Sequence, residues 1–156
     1  MIWSLTMFPE SDITETFKCE ALSEKEARMF SPLTLAFLGD AVYSLLVRNM
    51  LTSKENKPAG ALHRESITLV NAASQAAAAR RIMPFLTEAE LAVFKRGRNA
   101  HSAHSPKNQS SADYRTATGL EALYGYLFLC KNGERISYIF NKSTGEEYIE
   151  KTENET

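Results

Sequence analysis

The sequence predicts an all-α domain. Apolar residues recur at three- and four-residue spacing through most of the chain, and no segment shows the strict apolar–polar alternation of a strand. Pro32, Pro58, Pro84 and the pair Asn132-Gly133 fall between the periodic segments, where helices start or stop.

Residues 23–30 read as a short first helix. Ser23 is a good N-cap, and Glu26 stands three positions later as its capping-box partner. Ser31-Pro32 punctuates, and Pro32 suits a helix start. From Leu33 to about Leu51, the positions Leu35, Leu38, Val42, Leu45 and Leu46 repeat at helical spacing. Residues 52–58 form a polar connection. Pro58 opens a long helix through Leu62, Leu69, Val70 and the Ala76–Ala79 run to about Met83, and Pro84 ends it. Thr87 and Glu90 form a second capping box for a helix to about Arg96. Residues 97–112 lack apolar periodicity and form a sixteen-residue loop, a length that inside a compact domain signals function or disorder. A helix follows from about Asp113 to Leu129, and a last one covers 134–141. The tail from about Ser143 is polar and acidic.

The 156 residues suit one domain, and 44% hydrophobic with 24% charged residues is ordinary for a soluble globular protein. The two cysteines, Cys19 and Cys130, are too few for a disulfide framework and read as reduced thiols of a cytoplasmic protein. No basic region followed by an apolar stretch occurs between Met1 and Asp12, so no signal peptide is expected. The longest apolar stretch, Leu33 to Val47, is too short to span a bilayer and contains Asp40. The net charge of −1 conceals an uneven distribution. Residues 1–30 carry −3, residues 31–133 carry +5 and residues 134–156 carry −3. A basic middle of this kind sets the potential that a polyanion meets.

Asp40 and Glu121 each lie within an apolar helical pattern that contains Gly and Ala. A carboxylate among core residues is costly unless paired, hydrogen-bonded or bound to a metal. Positions 36 and 40 share one helix face, as do 118 and 121. If the two helices cross there, these side chains converge, with Gly39, Ala41, Gly119 and Ala122 permitting a close approach. Hard oxygen ligands of this type suit Mg²⁺, with water completing the octahedron. Spacing alone leaves two other readings open: Asp40 as an N-cap after Gly39, and Glu121 as a solvent-facing helix residue. His63, His101 and His104 form no recognisable catalytic pair, and His101-x-x-His104 lacks a third zinc ligand.

Lys95, Arg96, Arg98, Lys107 and Arg115 cluster with only Asp113 as an acid between 95 and 115. Asn99 and Asn108 add neutral donors. Such a mixture suits sugar and phosphate contacts on an RNA duplex, whereas the missing aromatics disfavour single-strand stacking. A solvated surface loop is the alternative.

The segment Leu35-Ala36-Phe37-Leu38-Gly39-Asp40-Ala41-Val42 resembles the ribonuclease III signature L-E-F-L-G-D-A, and Thr118-Gly119-Leu120-Glu121-Ala122-Leu123-Tyr124-Gly125 resembles the family's second motif, D-x-x-E-A-x-x-G. Lys95-Arg96-Gly97-Arg98-Asn99-Ala100, Pro106-Lys107-Asn108 and Tyr114-Arg115 narrow the resemblance to Mini-ribonuclease III, the short bacterial branch without a double-stranded-RNA-binding domain. Two acidic positions of the full-length pattern hold Ala36 and Thr118 instead. The resemblance implies a single ribonuclease III-like helical endonuclease domain over residues 31–142, preceded by an extension with a short helix (1–30) and followed by a polar tail (143–156). It implies Mg²⁺-dependent cleavage of double-stranded RNA, with Asp40 and Glu121 as catalytic metal ligands. RNA contacts fall to Lys95, Arg96, Arg98, Asn99, Lys107, Asn108 and Arg115. It further implies a homodimer and maturation of the large-subunit (23S) ribosomal RNA precursor, with a ribosomal protein as a possible helper. Leu35, Phe37, Leu38 and Val42 are interface candidates. The empty positions 36 and 118 motivate a second hypothesis, a ribonuclease III fold that grips structured RNA without cutting.

Overall fold

The computed structural model describes residues 20–100 and 111–145, and every regular element among them is helical. Seven α-helices run Glu24–Arg28 (α1), Pro32–Lys54 (α2), Ala59–Val70 (α3), Ala72–Ile82 (α4), Glu88–Asn99 (α5), Ser111–Leu129 (α6) and Gly133–Thr144 (α7), with a 3-10 turn at Met83–Phe85. Among the described residues no helix is long and apolar enough to cross a membrane.

Local signals fix most helix ends. The Ser23–Glu26 and Thr87–Glu90 boxes both form with reciprocal hydrogen bonds. Pro32 stands at the start of α2, and Gly145, at φ 70°, closes α7 in the left-handed region. The single helix expected over 58–83 is instead two helices, α3 and α4. Asn71 causes the break, because its backbone is extended and its side chain caps both ends. Its Nδ2 donates to the Ile67 and Thr68 carbonyls at 3.1 and 3.0 Å, and its Oδ1 accepts from Ser74 N at 2.9 Å. The last helix also extends further than 134–141.

The core is organised around α6. From Ala117 to Leu127 every side chain except Glu121 is buried, so α6 is apolar nearly all round. It packs against α2, α4 and α5. On the α2 side the two backbones touch. A Cβ added to Gly39 would lie 2.5 Å from the Glu121 carbonyl carbon and 2.8 Å from Gly125 N, and one added to Gly125 would lie 2.8 Å from the Leu35 carbonyl carbon. On the α5 side, a Cβ at Gly97 would lie 2.6 Å from Ala122 Cβ and 3.0 Å from Gly119 Cα. Of the four small residues expected at the carboxylate crossing, Gly39 serves it, Gly119 and Ala122 face α5, and Ala41 is exposed. Tyr43, Tyr124 and Phe140 fill the centre, with ring centroids 5.4 and 5.9 Å from Tyr43. Helix α1 belongs to this core: Ala27 is fully buried, and Leu22 N donates to Leu129 O at 3.0 Å.

Helix α2 is apolar on two faces. Leu35, Val42, Tyr43 and Val47 point inward, whereas Leu33, Phe37 and Leu45 are exposed on the outer side. Phe37 is 84% exposed, and Met29, just before α2, is 81% exposed.

Candidate active site

The Gly39–Gly125 crossing places Asp40 of α2 beside Glu121 of α6. Both sit within their helices, so Asp40 is not the N-cap of a new turn. Their environments differ. Glu121 is half-buried, as expected for a carboxylate beside the core. Asp40 is exposed, because it lies at the rim of the outer face of α2. The expectation of two core carboxylates therefore holds only for Glu121.

Glu121 responds to this setting. Burial first, then the charge of Asp40, push its carboxyl up to about 7, against a hydrogen bond from the Gln75 side chain that favours ionisation. Two negative groups in a half-dry setting form a site that gains by taking up a cation. The positions one turn earlier on each helix supply no further acid. Ala36 is buried, and the buried Thr118 turns its hydroxyl back to Tyr114 O at 3.0 Å. Among the described residues no three His, Cys, Asp or Glu side chains gather around a common point. The donor set is thus two carboxylates open to solvent on the Asp40 side. It fits a hard divalent ion such as Mg²⁺ that keeps most of its water, and not a four-ligand zinc site.

The family model for the ribonuclease III domain matches residues 33–132. The chain belongs to the ribonuclease III family, in its Mini-ribonuclease 3 branch. Curated relatives named Mini-ribonuclease 3 are similar over most of its length. Those of Thermoanaerobacter sp. (43% identical, covering 80% of this chain and 87% of the relative) and Clostridium tetani (40%, covering 89% and 92%) are two of them. That of Brevibacillus brevis is 45% identical, covering 76% of this chain and 89% of the relative. Among solved structures, a Fusobacterium nucleatum protein is similar at a TM-score of 0.68 and 31% identity, covering 77% of this chain and 96% of that one. The chain is therefore an endoribonuclease of the ribonuclease III type, a family that acts on double-stranded RNA.

The ribonuclease III fold also places the basic residues. Packing of Gly97 on Thr118–Ala122 sets the last turn of α5 against the part of α6 that carries Glu121. Lys95, Arg98 and Asn99 are exposed on that turn, and Arg115 is exposed near the start of α6. Arg96 has a structural use that its position in the sequence does not reveal. Its guanidinium donates to the carbonyls of Arg28 and Phe30 at 2.6 and 3.0 Å, tying α5 to the α1–α2 connection. Lys107 and Asn108, with His101 and His104, lie outside the described residues.

Gln75 also belongs to the surroundings of Glu121. Its one sequence cue is a long polar side chain among the small residues Ala72–Ala79. The break at Asn71 starts α4 one turn before Gln75, and the packing of α4 on α6 carries Gln75 to Glu121.

Proposed function

We propose that this endoribonuclease cuts double-stranded RNA in a Mg²⁺-dependent reaction, using Asp40 and Glu121 as its metal ligands and catalytic carboxylates. The observation that carries the reading is the meeting of these two side chains across the glycine crossing, with the Asp40 charge raising the Glu121 pKa. Bound Mg²⁺ would supply Lewis acidity and an activated water for phosphodiester hydrolysis. Asp40 presents its carboxylate from the solvent side, where a phosphate can arrive. Glu121 presents its own from the floor, and gives up its proton near neutral pH. Lys95, Arg98, Asn99 and Arg115 line the approach, with Lys107 and Asn108 in the same stretch of sequence, and hold the duplex by phosphate and sugar contacts, while Arg96 braces α5 against the α1–α2 connection.

The catalytic unit spans 31–142, and it works as a homodimer. The outer apolar face of α2, with Leu33, Phe37 and Leu45, supports this, since an exposed row of large apolar residues calls for a partner surface. The interface candidates Leu35 and Val42 are buried within the single chain, which leaves Phe37 and the partly buried Leu38 for this role. Family membership points to the large-subunit (23S) ribosomal RNA precursor as substrate, a cytoplasmic setting and a ribosomal protein as possible helper. Retention of both acids at one point favours cutting over mere binding.

The test is cleavage of an end-labelled RNA duplex, compared with its separate strands, in Mg²⁺ and in EDTA. Cutting of the duplex alone, and only with Mg²⁺, is expected. Cutting that persists in EDTA, or that prefers the single strands, would overturn the proposal.

A further inference from the structure

We propose that the acidic and apolar segment Glu146–Glu150 of this chain docks into the cleft between α2, α3, α4 and α7. The cleft has a volume of about 310 Å³. Val47 and Leu51 of α2, Leu69 of α3 and Phe140 of α7 wall it, and the buried Tyr43 lies at its floor. Lys54 and Arg81 stand exposed at its rim, and among the described residues no acid lines it. An open apolar cleft gains by being covered. Two cations beside it select a covering segment that carries negative charge.

The chain itself supplies such a segment at that place. Ser143 and Thr144, at the end of α7, line the cleft, and Arg81 holds that end by donating to the Ser143 carbonyl at 2.7 Å. Gly145 then turns the backbone off the helix axis at φ 70°. Residues 146–156 lie outside the described residues, and their composition matches the cleft. They hold five glutamates and one lysine, and their two apolar residues, Tyr148 and Ile149, stand side by side between Glu147 and Glu150. Tyr148 follows Thr144 by four residues, a reach of up to about 13 Å. A tether this short keeps the local concentration of the segment in the millimolar range, so even a weak docking contact is populated. Docking covers Tyr43, whose ring centroid lies 5.4 Å from that of Tyr124. These two rings stand three residues past Asp40 and Glu121, so the docked segment braces the pair of helices that carries both carboxylates.

The test is carbodiimide cross-linking of the full chain, which joins a carboxylate to an amine only at ion-pair distance, read by mass spectrometry. It compares native protein with a double variant, Tyr148→Ser with Ile149→Ser, which keeps every glutamate. In native protein, Lys54 is expected to couple to Glu146, Glu147 or Glu150 in preference to the exposed Lys25 and Lys95. In the double variant that coupling is expected to fall by about 10-fold or more, the scale of losing a buried apolar side chain. Should the double variant not fold, Tyr148→Ala alone takes its place. Equal coupling in the two proteins would overturn the proposal, as would no coupling to Lys54 in the native chain. Mixing isotope-labelled with unlabelled protein separates the occupants. Cross-links between labelled and unlabelled chains would assign the cleft to a second copy and overturn docking within one chain. A small acid carried through purification, bound equally by both proteins in native mass spectra, would overturn it in favour of a free ligand.

Discussion

Replacing Gly39 with alanine would add one methyl group where α2 meets α6. By helix propensity alone the change favours the fold by about 1 kcal/mol. The geometry opposes it. The new Cβ would stand 2.5 Å from the Glu121 carbonyl carbon and 2.8 Å from Gly125 N, both backbone atoms that no rotamer can move aside. The Glu121 carbonyl oxygen is nearer still, inside the space the methyl would fill, and ordinary contact begins near ~3.5 Å, so the helices must part by about 2 Å. Overpacking of this size costs at least about 3 kcal/mol, the upper end of the usual range, which leaves a net loss of at least about 2 kcal/mol once propensity is credited. The functional loss should be larger than the stability loss. Asp40 is the next residue along α2, and about 1 Å of misplacement of a reacting group costs on the order of 100-fold in rate. Urea unfolding followed by circular dichroism reads the first quantity, and initial rates on a labelled duplex read the second. A Gly39→Ala protein as stable and as active as native would refute the claim that backbone contact at this crossing builds the site.

The other predictions concern charge and surface. Glu121 holds its proton more tightly in the folded chain, with a pKa of about 7, than when unfolded, near 4.5. Native stability without metal therefore falls as pH rises through that window, by up to about 3 kcal/mol. Glu121→Gln should accordingly melt above native at pH 8 in EDTA, match it near pH 4, and cut no RNA; a variant that melts no higher than native at pH 8 would count against the strained carboxylate. Arg135→Met should cost about 3 kcal/mol, because it strands Glu90, buried beside it and held by hydrogen bonds of 2.7 and 2.8 Å; thermal melts check this, and a shift of under a degree would contradict it. Burial works against the Glu90 charge, yet Arg135 and Thr87 hold its pKa below the usual value, so this part of the stability is present at neutral pH and is lost in acid. Phe37→Glu should turn a dimer into a monomer in sedimentation velocity without lowering helix content, since its ring makes little contact within the chain; a dimer that survives would move the interface elsewhere.

Local physics made much of this legible in advance. The Ser23–Glu26 and Thr87–Glu90 boxes are short-range devices, readable from three-residue spacing, and both form. The meeting of Asp40 with Glu121 is legible in part, because Gly39 beside Asp40 marks a close crossing, although Ala41, Gly119 and Ala122 take no part in it. Other features depend on tertiary context. Leu69 and Val70 continue helical periodicity into the alanine run, which hid the double cap at Asn71. Helix α2 is apolar on both faces, so periodicity could not tell which face meets α6, and Asp40 was placed in the core rather than at an exposed rim. Gly119 reads like a partner for Gly39, yet α5 claims it, since the second crossing partner of α6 cannot be seen from either segment alone. Arg96 resembles its phosphate-seeking neighbours, and only the folded chain shows it committed to the carbonyls of Arg28 and Phe30. Gln75 lies far from Glu121 in the sequence, and nothing local links the two.

The account rests on Asp40 and Glu121 acting together on one phosphodiester. The most direct measurement is the cleavage rate of a labelled RNA duplex in Mg²⁺ by native protein, Asp40→Asn and Glu121→Gln, with duplex binding in EDTA measured in parallel. Both variants should bind the duplex as native does and cut at least about 100-fold more slowly, the scale expected when charge stabilisation at the reacting phosphate is removed. Native-like cutting by either variant would contradict the shared site.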